Sequence, residues 1–137
     1  MIKKIAYIGI AVEDIDRAKE TFTQILNSEV TREGASQIDR VKNAFITIGE
    51  DQIELMQPYA PESPVAKFVE RRGEGVQYIG LEVSNVNEAL DELKRKGVRL
   101  TSEEPVEYPN GSRWIFIHPK AMHGVMLALI ENPEQHV

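Results

Sequence analysis

The chain has 137 residues, of which 42% are hydrophobic and 28% are charged, a composition typical of one soluble globular domain. It has no cysteine, which excludes disulfides, thiolate metal sites and cysteine nucleophiles. The 16 basic and 22 acidic residues give a net charge of −6, which does not favour nucleic-acid binding. No apolar run approaches the roughly 18 residues that span a bilayer, so we expect a cytoplasmic protein without a membrane partner.

A short motif occurs twice in this chain. Residues 5–12 read IAYIGIAV and residues 76–83 read VQYIGLEV, so Tyr-Ile-Gly begins at residue 7 and again 71 residues later. Self-similarity at a fixed spacing indicates duplicated structure, and this spacing exceeds the roughly 20 to 50 residues of solenoid repeats. We therefore predict two fused half-domains.

The first half predicts the order βαβββ. Alternating apolar residues predict a strand at residues 5–12, and Asp14 or Asp16 is the predicted N-cap of the helix that follows. The predicted buried stripe of this helix consists of Ile15, Ala18, Phe22 and Ile25. Strands are predicted next at residues 28–32, 42–48 and 51–56, with a turn at residues 49–51.

Residues 57–75 connect the two halves. Their prolines, followed by AKFVERRGEG, predict a turn, a short helix and a glycine stop.

The second half predicts the same order. A strand at residues 76–83 is followed by Asn85 and, three residues later, Glu88, which resembles a capping box. The predicted helix buries Val86, Ala89, Leu90 and Leu93 and ends at Lys96-Gly97. Strands are predicted at residues 99–106, 112–118 and 124–130, with a turn at residues 109–111. We predict an α+β fold and one domain, with module 1 at about residues 3–56, a connector at 57–75 and module 2 at about 76–130.

Several longer stretches carry a family resemblance. They are AYIGIAV at residues 6–12, QIELMQP at 52–58, SPVAKFVERRGEGVQYIGLEV at 63–83 and HPKAMHGVMLAL at 118–129. On these residues the chain resembles the vicinal oxygen chelate (glyoxalase/bleomycin resistance/dioxygenase) superfamily, and within it the methylmalonyl-CoA epimerase family.

The resemblance implies a fold and an activity. The fold is a curled eight-stranded mixed sheet around a cavity, with the helices outside, and members often form homodimers. The activity is that of an isomerase, which performs α-proton chemistry on an acyl-CoA thioester or a similar carboxylate. In the family a divalent metal, held by two His, a Gln or Glu and a Glu, stabilises the enolate that forms when the α-proton leaves.

The family's four metal-ligand positions fall on Tyr7, Glu54, Tyr78 and Ala128. A phenol keeps its proton until about pH 10, alanine offers no ligand, and one carboxylate holds a divalent ion weakly. We therefore predict no tight metal site and no cofactor.

The resemblance also suggests site roles. Glu54 is the candidate base, and Tyr7 and Tyr78 are candidate hydrogen-bond donors to the enolate oxygen; the alternative is that both rings only pack a core. The remaining predicted ligand-binding residues are Gln52, Met56, Gln77, Met126, Lys67 and Lys120. The two lysines would contact a coenzyme A phosphate, and the alternative for Lys67 is a solvated helix face.

Two functions stay open. One is an epimerase-like enzyme, and the other is a metal-free protein that binds a small ligand, or a diverged non-epimerase member of the superfamily. The three histidines do not decide between them. His118 is expected to be structural in a turn before Pro119, His123 has no metal-ligand spacing, and His136 lies in a polar tail.

Overall fold

The computed structural model describes residues 2–133, so His136 lies outside the described residues. The described chain contains eight strands and three α-helices, together with a short 3₁₀ helix at Pro119–Ala121. Their order is β1 (Ile2–Ala11), α1 (Ile15–Leu26), β2 (Val30–Ser36), β3 (Val41–Ile48), β4 (Asp51–Pro58), α2 (Pro64–Arg72), β5 (Gly75–Val83), α3 (Val86–Arg95), β6 (Val106–Glu107), β7 (Arg113–Ile117) and β8 (Leu127–Glu131). The predicted α+β class is confirmed.

The strands form one mixed sheet in the order β2-β3-β4-β1-β5-β8-β7-β6. β1 runs parallel to β4, and β5 runs parallel to β8, while β3 and β7 pair antiparallel with β4 and β8. The predicted pair of βαβββ modules is therefore confirmed. The chain divides into two compact units. The first unit comprises residues 7–77, and the second comprises residues 2–6 with residues 78–133.

Helix α1 covers one face of the first unit's strands. The buried cluster there consists of Val12, Ile15, Ala44, Ile46 and Leu55. Ala18 and Phe22 pack against it, as their helical spacing predicts. The prediction for Ile25 is wrong: its side chain is 76% exposed, because the packed stripe of α1 ends at Phe22 and the last turn carries no residue of the cluster.

The start of α1 is fixed by two side chains. Asp14 is the N-cap, and its Oδ1 accepts hydrogen bonds from the backbone N–H groups of Asp16 and Arg17. The N–H of Ile15 donates to Oε1 of Gln57 at 2.9 Å. These acceptors satisfy N–H groups that have no partner inside the helix.

Helix α3 plays the same part in the second unit. Its buried cluster consists of Val83, Val86, Leu90, Ile115, Ile117 and Leu129, with Ala89 and Leu93 packed against it, as predicted. Oδ1 of the N-cap Asn85 accepts from the N–H of Glu88 at 3.1 Å, and the N–H of Val86 donates to Oε1 of Glu131 at 2.9 Å. The predicted glycine stop holds, since Gly97 has a φ of 69°, which suits glycine.

The segment that links the two modules contains the predicted turn, short helix and glycine stop. Helix α2 begins after Ser63, whose buried hydroxyl accepts from the N–H of Val65, and it ends at Gly73 with a φ of 76°. Glu74, in the RGEG segment, accepts a hydrogen bond from the N–H of Glu13 at 2.8 Å. None of the described helices combines the length and apolarity needed to cross a bilayer.

Three strand predictions differ from the structure. The strand predicted at residues 124–130 begins only at Leu127, because the turn after the 3₁₀ helix extends through Gly124. The strand predicted at residues 99–106 is reduced to one bridge at Leu100 and the two-residue β6. The interruption has a local cause: Ser102 Oγ donates to the carbonyl of Glu104 at 2.8 Å, and Pro105 has no N–H for a sheet. The strand predicted at residues 28–32 instead covers Val30–Ser36, because pairing with β3 extends it.

Candidate functional site

The face of the first unit's strands opposite α1 carries four residues of the predicted site, Tyr7, Gln52, Glu54 and Met56. Ile53 and Leu55 pack on the α1 side, so the alternate residues Gln52, Glu54 and Met56 lie on the other face. The registers of β1 and β4 pair Tyr7 with Gln52 and Gly9 with Glu54. The first unit therefore brings Tyr7 and Glu54 to one face.

Glu54 is a buried acidic side chain on this face. It is 9% exposed, and Nδ2 of Asn43 donates to its Oε2 at 3.1 Å. A carboxylate removed from water needs such donors. The β3–β4 register pairs Phe45 with Glu54 and Asn43 with Met56. Asn43 is therefore the diagonal neighbour of Glu54 on the adjacent strand.

Phe45 is in contact with the side chains of Tyr7 and Arg32. Its ring meets that of Tyr7 edge-on, with centroids 6.1 Å apart and planes at 67°. The guanidinium of Arg32 lies over the Phe45 ring, with Cζ 3.9 Å from the centroid, and Nη2 of Arg32 is 3.5 Å from Oε1 of Gln52. Arg32 therefore extends the row of side chains on this face.

The sequence interpretation missed Asn43, Phe45 and Arg32. The signal that could have found them is the predicted turn after β3, since a short turn fixes the register of a hairpin. A turn over residues 49–50 pairs Ile48 with Asp51 and hence Phe45 with Glu54.

An aromatic cluster occupies the corresponding face of the second unit. Tyr78 is 3% exposed, and its ring meets that of Trp114 at 5.6 Å and 66°. Trp114 also contacts Tyr108 at 5.3 Å and Phe116 at 5.7 Å, and its Nε1 donates to Ser112 at 2.9 Å. Tyr78 is thus held by aromatic packing.

Strand register gives Ala128 and Glu54 equivalent positions in the two modules. Gly9 pairs with Glu54 in one unit, and Gly80 pairs with Ala128 in the other. Ala128 is fully buried and lies opposite Phe116. The second module therefore places a methyl group where the first places a carboxylate.

Gln77 and Met126 occupy different environments. Residues alternate along β5, so Gln77 lies on the face of Leu81, which packs against the α3 cluster. Met126 is half-buried, and its carbonyl accepts from the N–H of Ile79 at 3.1 Å. The ligand-binding roles of both residues stay predictions.

Lys67 and Lys120 are exposed, the first on α2 and the second in the 3₁₀ helix. Contact of either lysine with a coenzyme A phosphate stays a prediction.

His118 is a helix cap. Its Nδ1 accepts a hydrogen bond from the backbone N–H of Lys120 at 3.0 Å, at the start of the 3₁₀ helix. Desolvation, with smaller contributions from the cations Arg99 and Lys120, lowers the pKa of His118 below its ordinary value. The neutral imidazole is thereby suited to accept this bond.

A polar pocket of about 460 Å³ lies beside the N-terminus of α1. Its acidic lining residues are Glu13, Asp14, Asp16 and Glu33. Its two lysines are Lys42 and Lys19, and Lys19 is paired with Asp16 and Glu33. Asn43, which donates to Glu54, also lines the pocket. This lining does not favour an anionic ligand, so we do not assign the pocket to the predicted site.

The donor set does not fit the metal that the resemblance implies. Of the four family positions, one holds the carboxylate of Glu54, two hold phenols and the fourth holds the buried Ala128. Within residues 2–133, no group of three or more His, Cys, Asp or Glu side chains is arranged to hold an ion. We therefore derive no chemical step through a metal.

Comparisons with known proteins relate the whole chain to one family. The ethylmalonyl-CoA/methylmalonyl-CoA epimerase of Cereibacter sphaeroides is 34% identical, over 94% of this chain and 98% of its own. The mitochondrial methylmalonyl-CoA epimerase of Homo sapiens is 32% identical, over 92% of this chain and 72% of its own. A solved structure of a methylmalonyl-CoA epimerase in complex with methylmalonyl-CoA and NH4+ is 30% identical, with a TM-score of 0.90 and 96% of each chain covered.

The family model for the Glyoxalase/Bleomycin resistance protein/Dioxygenase superfamily matches residues 7–116. That range includes both Tyr-Ile-Gly motifs, Glu54 and the connector. The chain belongs to the glyoxalase/bleomycin resistance/dioxygenase superfamily, and its relatives include methylmalonyl-CoA epimerases.

Proposed function

We propose that this protein exchanges the proton on the carbon next to the carbonyl of an acyl-CoA thioester, with Glu54 as the base. The observation that carries the proposal is the Glu54 carboxylate, which is 9% exposed and bonded to Asn43. Support for the substrate class comes from relatives whose names include ethylmalonyl-CoA and methylmalonyl-CoA.

The proposed reaction needs a base and a donor. Asn43 fixes Oε2 of Glu54, so the carboxylate meets the α-carbon in one orientation, which general base catalysis requires. Removal of the α-proton places negative charge on the thioester carbonyl oxygen. The phenol of Tyr7, on the same face as Glu54, is the proposed donor to that oxygen.

The experiment is α-proton exchange of methylmalonyl-CoA in D₂O, followed by mass spectrometry. We expect the wild-type protein to incorporate deuterium faster than the protein-free solution. Glu54→Gln should slow incorporation about 100-fold or more, since a positioned base contributes about 10² to 10⁴. The matched control is Glu29→Gln, which removes the same charge from an exposed side chain and should leave the rate unchanged.

The outcomes are decisive for this proposal. A wild-type protein that exchanges no faster than the protein-free solution removes it. A Glu54→Gln variant that exchanges at the wild-type rate removes Glu54 as the base.

A second candidate function is binding of a small ligand without chemistry. The aromatic cluster of Tyr78, Trp114, Tyr108 and Phe116 favours it, because apolar walls with few polar groups are typical of ligand sites. Trp114 is the one tryptophan of the chain, so its fluorescence reports ligands that reach this cluster. A fluorescence change with methylmalonyl-CoA, without deuterium exchange, favours this candidate over the first.

A further inference from the structure

Arg32 lies on an aromatic side chain beside the proposed base. Its Cζ is 3.9 Å from the ring centroid of Phe45, and Phe45 is 9% exposed. Arg32 itself is exposed. A guanidinium stacked on a ring in this way keeps its edge N–H groups free to face a ligand or water.

Strand register places Arg32 in one row with Glu54. Arg32 pairs with Phe45 across β2 and β3, and Phe45 pairs with Glu54 across β3 and β4. With neighbouring strands about 4.8 Å apart, the backbones of Arg32 and Glu54 lie about 10 Å apart on the same face. The Arg32 side chain reaches back over Phe45, which brings its charge closer to the carboxylate.

The charge of Arg32 is not neutralised by a carboxylate. Within the part of the chain that the structure describes, no Asp or Glu oxygen lies within ion-pair distance of Arg32, although the chain has 22 acidic residues. Its hydrogen bond to Gln52, at 3.5 Å, is at the long limit for such bonds. The donors of Arg32 therefore have capacity for an anion.

We propose that Arg32, supported by Phe45, binds the free carboxylate of the acyl group and so selects malonyl-type thioesters over simple acyl thioesters. The inference rests on the proposed function, which places the α-carbon at Glu54. A carboxylate on that carbon is within a few ångströms of the reacting atom, so an anion site in the same row suits it. A guanidinium binds carboxylates through two parallel N–H donors.

The test compares two ligands that differ in one carboxylate. Dissociation constants of methylmalonyl-CoA and propionyl-CoA are measured by calorimetry for wild type, Arg32→Gln, Arg32→Lys and the control Arg17→Gln. Arg17 is exposed on α1, against the opposite face of the same strands. Arg32→Gln should weaken methylmalonyl-CoA about 10-fold to 100-fold, as expected for a charged hydrogen bond.

The same substitution should change propionyl-CoA binding less than about threefold, since that ester lacks the carboxylate but keeps every coenzyme A phosphate. Arg32→Lys should retain part of the selectivity, because a lysine keeps the charge but not the paired donors. Arg17→Gln should bind both esters as the wild type does.

The results that would contradict the inference differ from those that would contradict the proposed function. Equal weakening of both esters by Arg32→Gln would assign Arg32 to a phosphate of coenzyme A and overturn the inference, as would no weakening of either. Selectivity that depends on Arg32 in a protein without deuterium exchange would support the inference and remove the proposed chemistry. A wild-type protein that binds neither ester would remove both.

Discussion

At the scale of single residues, the chain concentrates its unusual polar groups on one sheet face. Glu54 is buried and accepts a hydrogen bond from Asn43. Arg32 lies two strands from Glu54, and its guanidinium lies over the ring of Phe45 on the strand between them. Neither Glu54 nor Arg32 packs in the hydrophobic core under α1, which lies on the opposite face of the sheet. Burial of a carboxylate costs free energy unless it is hydrogen-bonded, and Asn43 supplies such a bond to Glu54.

We expect His118 to make the stability of the protein depend on pH. Its folded-state pKa is lowered from the ordinary value of 6.5, and its neutral Nδ1 accepts the Lys120 N–H. A depressed folded pKa contributes stability above the unfolded value, and that stability is lost as the pH falls from about 6.5 toward the folded pKa.

We expect the urea midpoint of the wild type to fall between pH 7.5 and pH 5 more steeply than that of His118→Asn. Asparagine can cap the turn without a titrating group. His123→Asn is the matched control, because His123 is exposed. Parallel midpoint curves for wild type and His118→Asn would contradict the assignment.

At the scale of elements, each module ties its helix to its fourth strand in the same way. The first N–H of α1 donates to Gln57 at the end of β4, and the first N–H of α3 donates to Glu131 at the end of β8. One acceptor is neutral and the other is charged. The contact has the same geometry in both modules, although its chemistry differs.

We expect Gln57→Ala to lower the free energy of unfolding by about 1 kcal/mol and Glu131→Ala by about 2 kcal/mol. The larger figure follows because a charged acceptor also meets the positive end of the helix dipole. Urea denaturation measures both. Gln24→Ala, on the exposed surface of α1, is the control and should be nearly neutral. Equal stability of Gln57→Ala and wild type would show that the tie contributes nothing.

The elements differ in how far the sequence could predict them. Helix α3 carries its cap, its apolar stripe and its glycine stop in local residues, and all three are confirmed. The residues from Gly34 to Ser36 belong to β2 only because they pair with β3, and such pairing overrides local strand propensity. Asn43 and Arg32 were not predicted for a related reason. Strand pairing places both residues near Glu54, and neither residue belongs to a sequence motif.

At the scale of the whole molecule, duplication has preserved the register of the modules while their chemistry diverged. Tyr7 and Tyr78 keep the same motif, yet Glu54 corresponds to Ala128. The repeat, together with the strand and helix patterns of each half, predicted the paired βαβββ modules, and the family resemblance was needed to single out these four positions. A shared cavity for the two tyrosines stays a prediction.

The whole protein should hold no tight divalent ion, because its four family positions supply one carboxylate. After incubation with Co²⁺ or Zn²⁺ and gel filtration, we expect well below one equivalent of metal by elemental analysis. Treatment with EDTA should leave the thermal midpoint unchanged, since a tightly bound ligand would raise it. Stoichiometric metal, or a midpoint that falls by several degrees with EDTA, would contradict the donor-set argument.

From the division of the chain into units we also expect an order of folding during synthesis. Residues 7–77 form a continuous unit, whereas residues 2–6 belong with residues 78–133. Residues 2–6, the first half of β1, are therefore translated long before residues 78–133 of the same compact unit. We expect residues 7–77 to assemble while translation proceeds. The other unit joins segments more than 70 residues apart in sequence, so we expect it to form later and more slowly, as non-local contacts do.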